Sequence, residues 1–62
     1  MALSFTETWW LEECVKAENL AIKKLMMYKE MAQDSQAKAV CNDLEQNHRR
    51  HLDMLINGTR GL

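Results

Sequence analysis

The sequence is poor in the residues that break helices. It contains no proline, and its only two glycines, Gly58 and Gly61, lie at the far end. Nothing in residues 1–57 therefore forces a helix to stop, and no alternation of apolar and polar residues indicates a strand. These absences favour long, uninterrupted helices.

Cysteine, net charge and long apolar runs are equally scarce. Cys14 and Cys41 form no CxxC pair, so we expect two free, buried thiols in a reducing compartment. The formal net charge of −1 argues against a nucleic-acid or anionic-lipid partner. No apolar run approaches the roughly 20 residues of a membrane span. The start "MALSFTETWW" lacks the basic and apolar segments of a signal peptide, so a cytoplasmic location is expected.

Capping signals delimit two helices. The stretch "SFTE" fits a capping box, with Ser4 as N-cap and Glu7 reaching back. In "QDSQ", Asp34 or Ser35 can cap a second helix, and Gly58 supplies a glycine stop. We predict a single all-α unit, an antiparallel hairpin. Its parts are a first helix over about 5–33, a turn at about 34–35, a second helix over about 36–57 and a short C-terminal tail.

Apolar residues run along each predicted helix in steps of three and four. The first stripe comprises Leu11, Cys14/Val15, Glu18, Ala21/Ile22, Leu25, Tyr28 and Ala32, and the second Ala37, Val40/Cys41, Leu44/Glu45, His48, His51/Leu52 and Leu55. Trp10, Ala17 and neighbouring positions widen the first stripe beyond what one partner helix can cover. We therefore predict a homodimer, in which two hairpins form a four-helix bundle about a twofold axis, with higher assembly left open. Trp9 and Trp10 are interpreted as packing and dimer anchors.

The segment "LEQNHRRHLD" places polar side chains at apolar positions. His48 lies within the second stripe, and Glu45 lies three residues before it on the same face. Glu18 is the charged residue in the middle of the first stripe. It precedes Asp34 by 16 residues, so its level partner lies near residue 50, between His48 and His51. Buried polar groups are costly unless they are paired or bind something.

Two interpretations of these residues stay open. In a homodimer, two copies of Glu18, Glu45 and His48 supply four carboxylates and two imidazoles, which suit a dinuclear iron or manganese site, with His51 as a further or outer ligand. Alternatively, Glu45 is a solvated edge residue, paired for example with Arg49, and the histidines bond to Glu18 without metal. No catalytic residue and no reaction are assigned.

Two family resemblances accompany these residues. With "AEN" around Glu18 and "EQNH" at 45–48, the chain resembles a half-length member of the ferritin-like superfamily. With "AIKK", Tyr28, Asp34, Lys38 and "HRRHLDML", it also resembles short CotF-like spore coat proteins of endospore-forming bacteria. The first resemblance implies dinuclear metal chemistry with dioxygen or peroxide. The second implies a metal-free structural or interaction module associated with the spore.

Overall fold

Two antiparallel helices make up the part of the chain that the structure, a computed structural model, describes, namely residues 3–59. Helix α1 spans Phe5–Met31, helix α2 spans Ser35–Gly58, and residues 3–59 contain no strand. The Cα atoms extend over 47 × 15 × 10 Å. The predicted all-α hairpin is confirmed. Most of the predicted C-terminal tail, residues 60–62, lies outside the described residues.

The predicted capping box starts α1. The Glu7 backbone N–H donates to the Ser4 hydroxyl at 3.1 Å, and the Ser4 N–H donates back to the Glu7 carboxylate at 3.1 Å. The hydrogen bond from Ser4 to the Glu7 side chain also holds the pKa of this carboxyl below its ordinary value. These two bonds satisfy a free donor at the helix start and fix where α1 begins.

A connection of residues 32–34 joins the helices without glycine. Helix α1 ends at Met31, two residues before the predicted end, because Ala32 leaves the helix in an extended conformation, with φ −68° and ψ 134°. Asp34 is also extended and accepts a hydrogen bond from the Ala37 N–H at 2.9 Å, so Asp34 is the N-cap of α2. Because φ is negative at both residues, the reversal needs none of glycine's conformational freedom.

The predicted glycine stop at Gly58 is wrong. Gly58 is the last residue of α2, and the following Thr59 takes a right-handed helical conformation as C-cap. The Thr59 hydroxyl donates to the carbonyls of Leu55 and Ile56, at 2.7 and 3.2 Å. The Thr59 hydroxyl thus bonds to carbonyls at the end of α2. In a glycine C-cap, backbone N–H groups that follow a left-handed glycine would bond to the last carbonyls instead.

The single hairpin has very little core. Of the described apolar residues only Ile22 is buried, at 5% exposure, and the only buried charged residue is Glu45, also at 5%. The thiols of Cys14 and Cys41 are both free, as expected, but Cys14 is exposed and Cys41 is partly exposed, so the prediction that both are buried is wrong. Large apolar side chains remain open to solvent along both helices. They are Phe5, Trp9, Trp10, Leu20, Met26, Met27, Tyr28, Met31, Val40, Leu44, Met54 and Ile56.

Candidate metal site

A short hydrogen bond joins the two helices at mid-length. His48 Nδ1 lies 2.6 Å from Glu18 Oε2, and the two side chains are 31% and 20% exposed. An ionised carboxylate can only accept, so the imidazole N–H donates. The predicted level of Glu18, between His48 and His51, is confirmed by this contact.

His51 completes a group of three potential ligands. Its Nδ1 lies 3.5 Å from the other oxygen of Glu18, and its side chain is 56% exposed. The two imidazole rings stand edge to face, with centroids 5.7 Å apart and an interplanar angle of 80°. One ligand atom from each of Glu18, His48 and His51 lies within 4.8 Å of the others. We call these three residues the cluster.

Helix periodicity explains why the cluster forms. His48 and His51 are three residues apart, so they project from the same side of α2, next to each other. Glu18 is the central residue of α1, with residues 5–17 before it and 19–31 after it. The cluster therefore lies near the middle of the hairpin, far from the connection and from the open end.

Glu45 lies outside the cluster in the single chain. Its carboxylate accepts a hydrogen bond from Lys29 Nζ at 2.9 Å and another from Arg49 Nε at 2.9 Å. The predicted Glu45–Arg49 pair is confirmed, while the solvated-edge interpretation is wrong because this side chain is only 6% exposed. The hydrogen bonds from Lys29 and Arg49 hold the pKa of Glu45 below its ordinary value, against the opposing effect of burial.

Sequence reasoning missed Lys29, although its spacing contained the signal. The residue follows Ile22 by seven and Leu25 by four, so it continues the inner stripe of α1. Glu18 is therefore not the one charged residue within that stripe. Side chains lean toward the N-terminus of their own helix, so Lys29 leans away from the connection and Glu45 leans toward it. The two side chains meet for this reason, although their backbone levels differ.

One broad apolar face of the hairpin surrounds the cluster. We define the broad face as Trp10, Cys14, Ala17, Ala21, Leu25 and Tyr28 of α1 with Ala37, Val40, Leu44, His51 and Leu55 of α2. Steps of three, four or seven residues keep each set on one side of its helix. An open groove lined by Cys14 and Glu18 together with His51 and Leu55 places both sets on the same side of the hairpin. The residues that define the face are uncharged, and the acidic residue that lines the same groove is Glu18.

The donor set of the cluster fits a first-row transition metal. Two imidazoles and one carboxylate leave coordination positions open, an arrangement that binds ferrous iron, manganese or zinc in other proteins. The exposed edge of His51 gives an ion access from solvent. A cation bound between Glu18 and His48 Nδ1 would replace the hydrogen bond that joins them, because carboxylate and imidazole nitrogen bind metals without their protons. The residues therefore fit a metal, and they are also satisfied without one.

Comparison with known proteins finds no relative. No protein-family model matches the chain, and neither a curated protein nor a solved structure matches it. The resemblances to ferritin-like and spore coat proteins therefore rest on the quoted residues alone. Neither α1 nor α2 combines the length and the apolar character that crossing a membrane requires.

Proposed function

We propose that this chain is a ferritin-like metal-binding protein whose homodimer holds two iron or manganese ions. The observation that carries the proposal is the cluster, in which Glu18, His48 and His51 converge from two helices to within 4.8 Å. Two imidazoles and one carboxylate at one point between the helices are a donor set that suits iron or manganese. When bound, such ions supply redox chemistry toward dioxygen or peroxide at their open positions.

The broad face supports the homodimer. Trp10, Tyr28, Val40 and Leu44 are 59%, 50%, 57% and 42% exposed in the single hairpin. A contiguous apolar surface of this kind on so small a chain indicates an interface. The residues that define the face are uncharged, and Glu18 in its groove is paired with His48, so two copies can stack on each other without burying unpaired charge. The product is a four-helix bundle with the broad faces inside.

The position of the cluster supports a dinuclear centre. Two hairpins that stack face to face about a twofold axis through their midpoints bring their middle levels together. Glu18 is at the middle of α1 and contacts His48 across the seam between the helices, so the two clusters face each other across the dimer. Each chain then contributes one ion site to a shared centre.

Glu45 is the fourth ligand candidate in this proposal. Its carboxylate lies one helical turn from His48 but is held by Lys29 and Arg49. To bind metal it must exchange these two cationic side chains for the ion. In a dinuclear centre with bridging carboxylates, Glu45 leaves Lys29 and Arg49 and binds metal. In two separate sites, each with two histidines and one glutamate, Glu45 stays paired with Lys29 and Arg49.

Metal titration of defined variants tests the proposal. The apoprotein, titrated without oxygen with Fe²⁺ and separately with Mn²⁺, should take up about one ion per chain by equilibrium dialysis and elemental analysis. Glu18→Gln should lower the affinity at least tenfold, because it removes the central carboxylate. Glu30→Gln is the matched control, since it makes the same chemical change at an exposed position of α1 away from the cluster.

Three outcomes of these titrations identify the ligands. Unchanged uptake by Glu18→Gln, with helix content intact by circular dichroism, would reject the cluster as the site. Weakened uptake by Glu45→Gln would identify that carboxylate as a ligand. Unchanged uptake by Glu45→Gln would assign each ion to the Glu18, His48 and His51 set alone.

A metal-free interaction module, of the kind the spore coat resemblance implies, is the second candidate function. The observation that favours it is the 2.6 Å hydrogen bond between Glu18 and His48, which satisfies both groups without an ion. Under this alternative, metal neither binds nor raises the melting temperature. Because an ion that binds only the folded state stabilises it, a thermal melt with and without a chelator separates the two functions.

A further inference from the structure

A second apolar line runs along the outside of α1, away from α2. We define the outer stripe as Trp9, Glu13, Lys16, Leu20, Lys24, Met27 and Met31. Its four large apolar members, Trp9, Leu20, Met27 and Met31, are 51%, 53%, 51% and 70% exposed. Neither the hairpin seam nor the proposed broad-face dimer covers them, because the stripe lies on the opposite side of α1 from Ile22.

The positions of the outer stripe are spaced symmetrically about Leu20, although the residue types differ. Residues 16 and 24 lie four positions from it, residues 13 and 27 lie seven, and residues 9 and 31 lie eleven. Eleven residues make slightly more than three full turns, so Trp9, Leu20 and Met31 lie nearly in line along the helix. Two copies that pack antiparallel about a twofold axis at Leu20 therefore place Trp9 of each chain against Met31 of the other. Sulfur–aromatic contacts of this type are favourable.

The charges on the stripe complement each other in the same register. Glu13 and Lys24 are eleven residues apart, so they lie on the same edge of the stripe. Across the axis, Lys24 of the second copy falls three residues, about 4.5 Å along the helix, from Glu13 of the first. Lys16, the present partner of Glu13 at 3.2 Å, falls at the same level as Lys24 of the second copy but lies on the other edge of the stripe. Each Glu13 can therefore meet a Lys24 of the other copy, twice per interface.

We propose that the outer stripe is a second self-association surface, which joins broad-face dimers into a larger assembly through antiparallel α1 helices. The stripe from Trp9 to Met31 is about 33 Å long and about 10 Å wide, so it covers roughly 330 Å² per chain. This footprint is smaller than the roughly 800 Å² per partner of a standard interface. The contact is therefore weaker than the broad-face contact and depends on protein concentration. Its occupant is a second copy of this chain, because the antiparallel register brings Trp9 against Met31 and Glu13 near Lys24 of the other copy.

Charge exchange at Glu13 and Lys24 tests this proposal. Sedimentation velocity of the wild-type protein over a wide concentration range should give masses above that of a dimer of 7.3 kDa chains. Lys24→Glu replaces both attractions with repulsions and should raise the dissociation constant of the larger assembly roughly tenfold to a hundredfold. The double variant Glu13→Lys with Lys24→Glu restores opposite charges and should restore assembly. Lys38→Glu, a charge reversal at an exposed position of α2, is the matched control and should change nothing.

The outcomes separate this surface from the broad-face dimer. A Lys24→Glu variant that assembles as the wild type does, or a double variant that does not recover, would each overturn the proposal. A wild-type protein that stays at dimer mass while Trp10→Ala reduces it to a monomer would also overturn it. Trp10→Ala, which alters only the broad face, keeps the two interfaces distinguishable. If the broad face is not an interface, this variant and the wild type should both still pair through the outer stripe, and Lys24→Glu should abolish that pairing.

Discussion

Replacing Trp10 with alanine should weaken the proposed broad-face dimer, while the same change at Trp9 should leave that dimer intact. The two residues are adjacent and similarly exposed in the single hairpin, at 59% and 51%. They point in directions about 100° apart, so that Trp10 belongs to the broad face and Trp9 to the outer stripe. The two variants have the same composition, and only the direction of the lost side chain differs.

The magnitude follows from the area that Trp10 still exposes. A buried tryptophan hides roughly 150–250 Å², so about 90–150 Å² of this side chain remains for a partner to cover. At about 25 cal/mol per Å², this is worth about 2–4 kcal/mol per chain. A twofold dimer contains this contribution twice, once for each Trp10. The sum is an upper bound, because the loss of side-chain and rigid-body freedom on association offsets part of it. Even a quarter of the total would raise the dissociation constant roughly tenfold.

Sedimentation equilibrium of both variants measures the effect directly. Trp10→Ala should shift the monomer–dimer equilibrium toward the monomer at least tenfold, and Trp9→Ala should affect only masses above the dimer. Equal dissociation constants for the wild type and Trp10→Ala would refute the assignment of the broad face as the interface. Loss of the dimer in Trp9→Ala alone would place the interface on the other side of α1.

Three further predictions concern the hairpin itself. Ile22→Ala removes the one apolar side chain that is buried among residues 3–59 and should cost about 2–4 kcal/mol in urea unfolding, and a loss under about 0.5 kcal/mol would contradict the description of the core. Ser4→Ala removes the cap of α1 and should cost about 1 kcal/mol, seen as a lower melting temperature, whereas an unchanged melt would mean that the box contributes nothing. Stability should fall as the pH drops from about 5 toward 3, because Glu45 has a lowered pKa in the folded state and loses that contribution when protonated. Glu45→Gln should flatten this decline in acid unfolding curves, and an identical slope would assign the decline to other carboxyls.

The helices could be predicted from the sequence because their signals are local. Ser4 with Glu7, and Asp34 with the N–H of Ala37, act within one turn of the chain, and the absence of proline leaves the helix interiors unbroken. Gly58 was misassigned because a glycine near a helix end favours a stop but does not require one. Thr59 satisfies the last carbonyls with its hydroxyl, so the helix continues through the glycine.

The site was predictable only as far as helix periodicity extends. Counting residues outward from Asp34 along each helix predicted that Glu18 lies opposite His48, because antiparallel helices of regular rise keep a fixed register. The same counting could not predict the contacts of Glu45. They depend on how far the Lys29 side chain extends and on which acceptors, here Asn42 and Glu45, its ammonium group binds. Such choices among long, flexible side chains depend on local packing and solvation, and residue spacing does not encode them.

The most direct test of the central claim is metal content and mass measured on the same sample. The purified protein, incubated with Fe²⁺ or Mn²⁺ without oxygen and then desalted, should contain dimers of 7.3 kDa chains with two ions each. That result would support one ion at each cluster of Glu18, His48 and His51, and the Glu45→Gln titration would then show whether the two ions share a dinuclear centre. A dimer that stays free of metal after the same treatment would contradict the account and leave Glu18 and His48 as a polar pair within an interaction module.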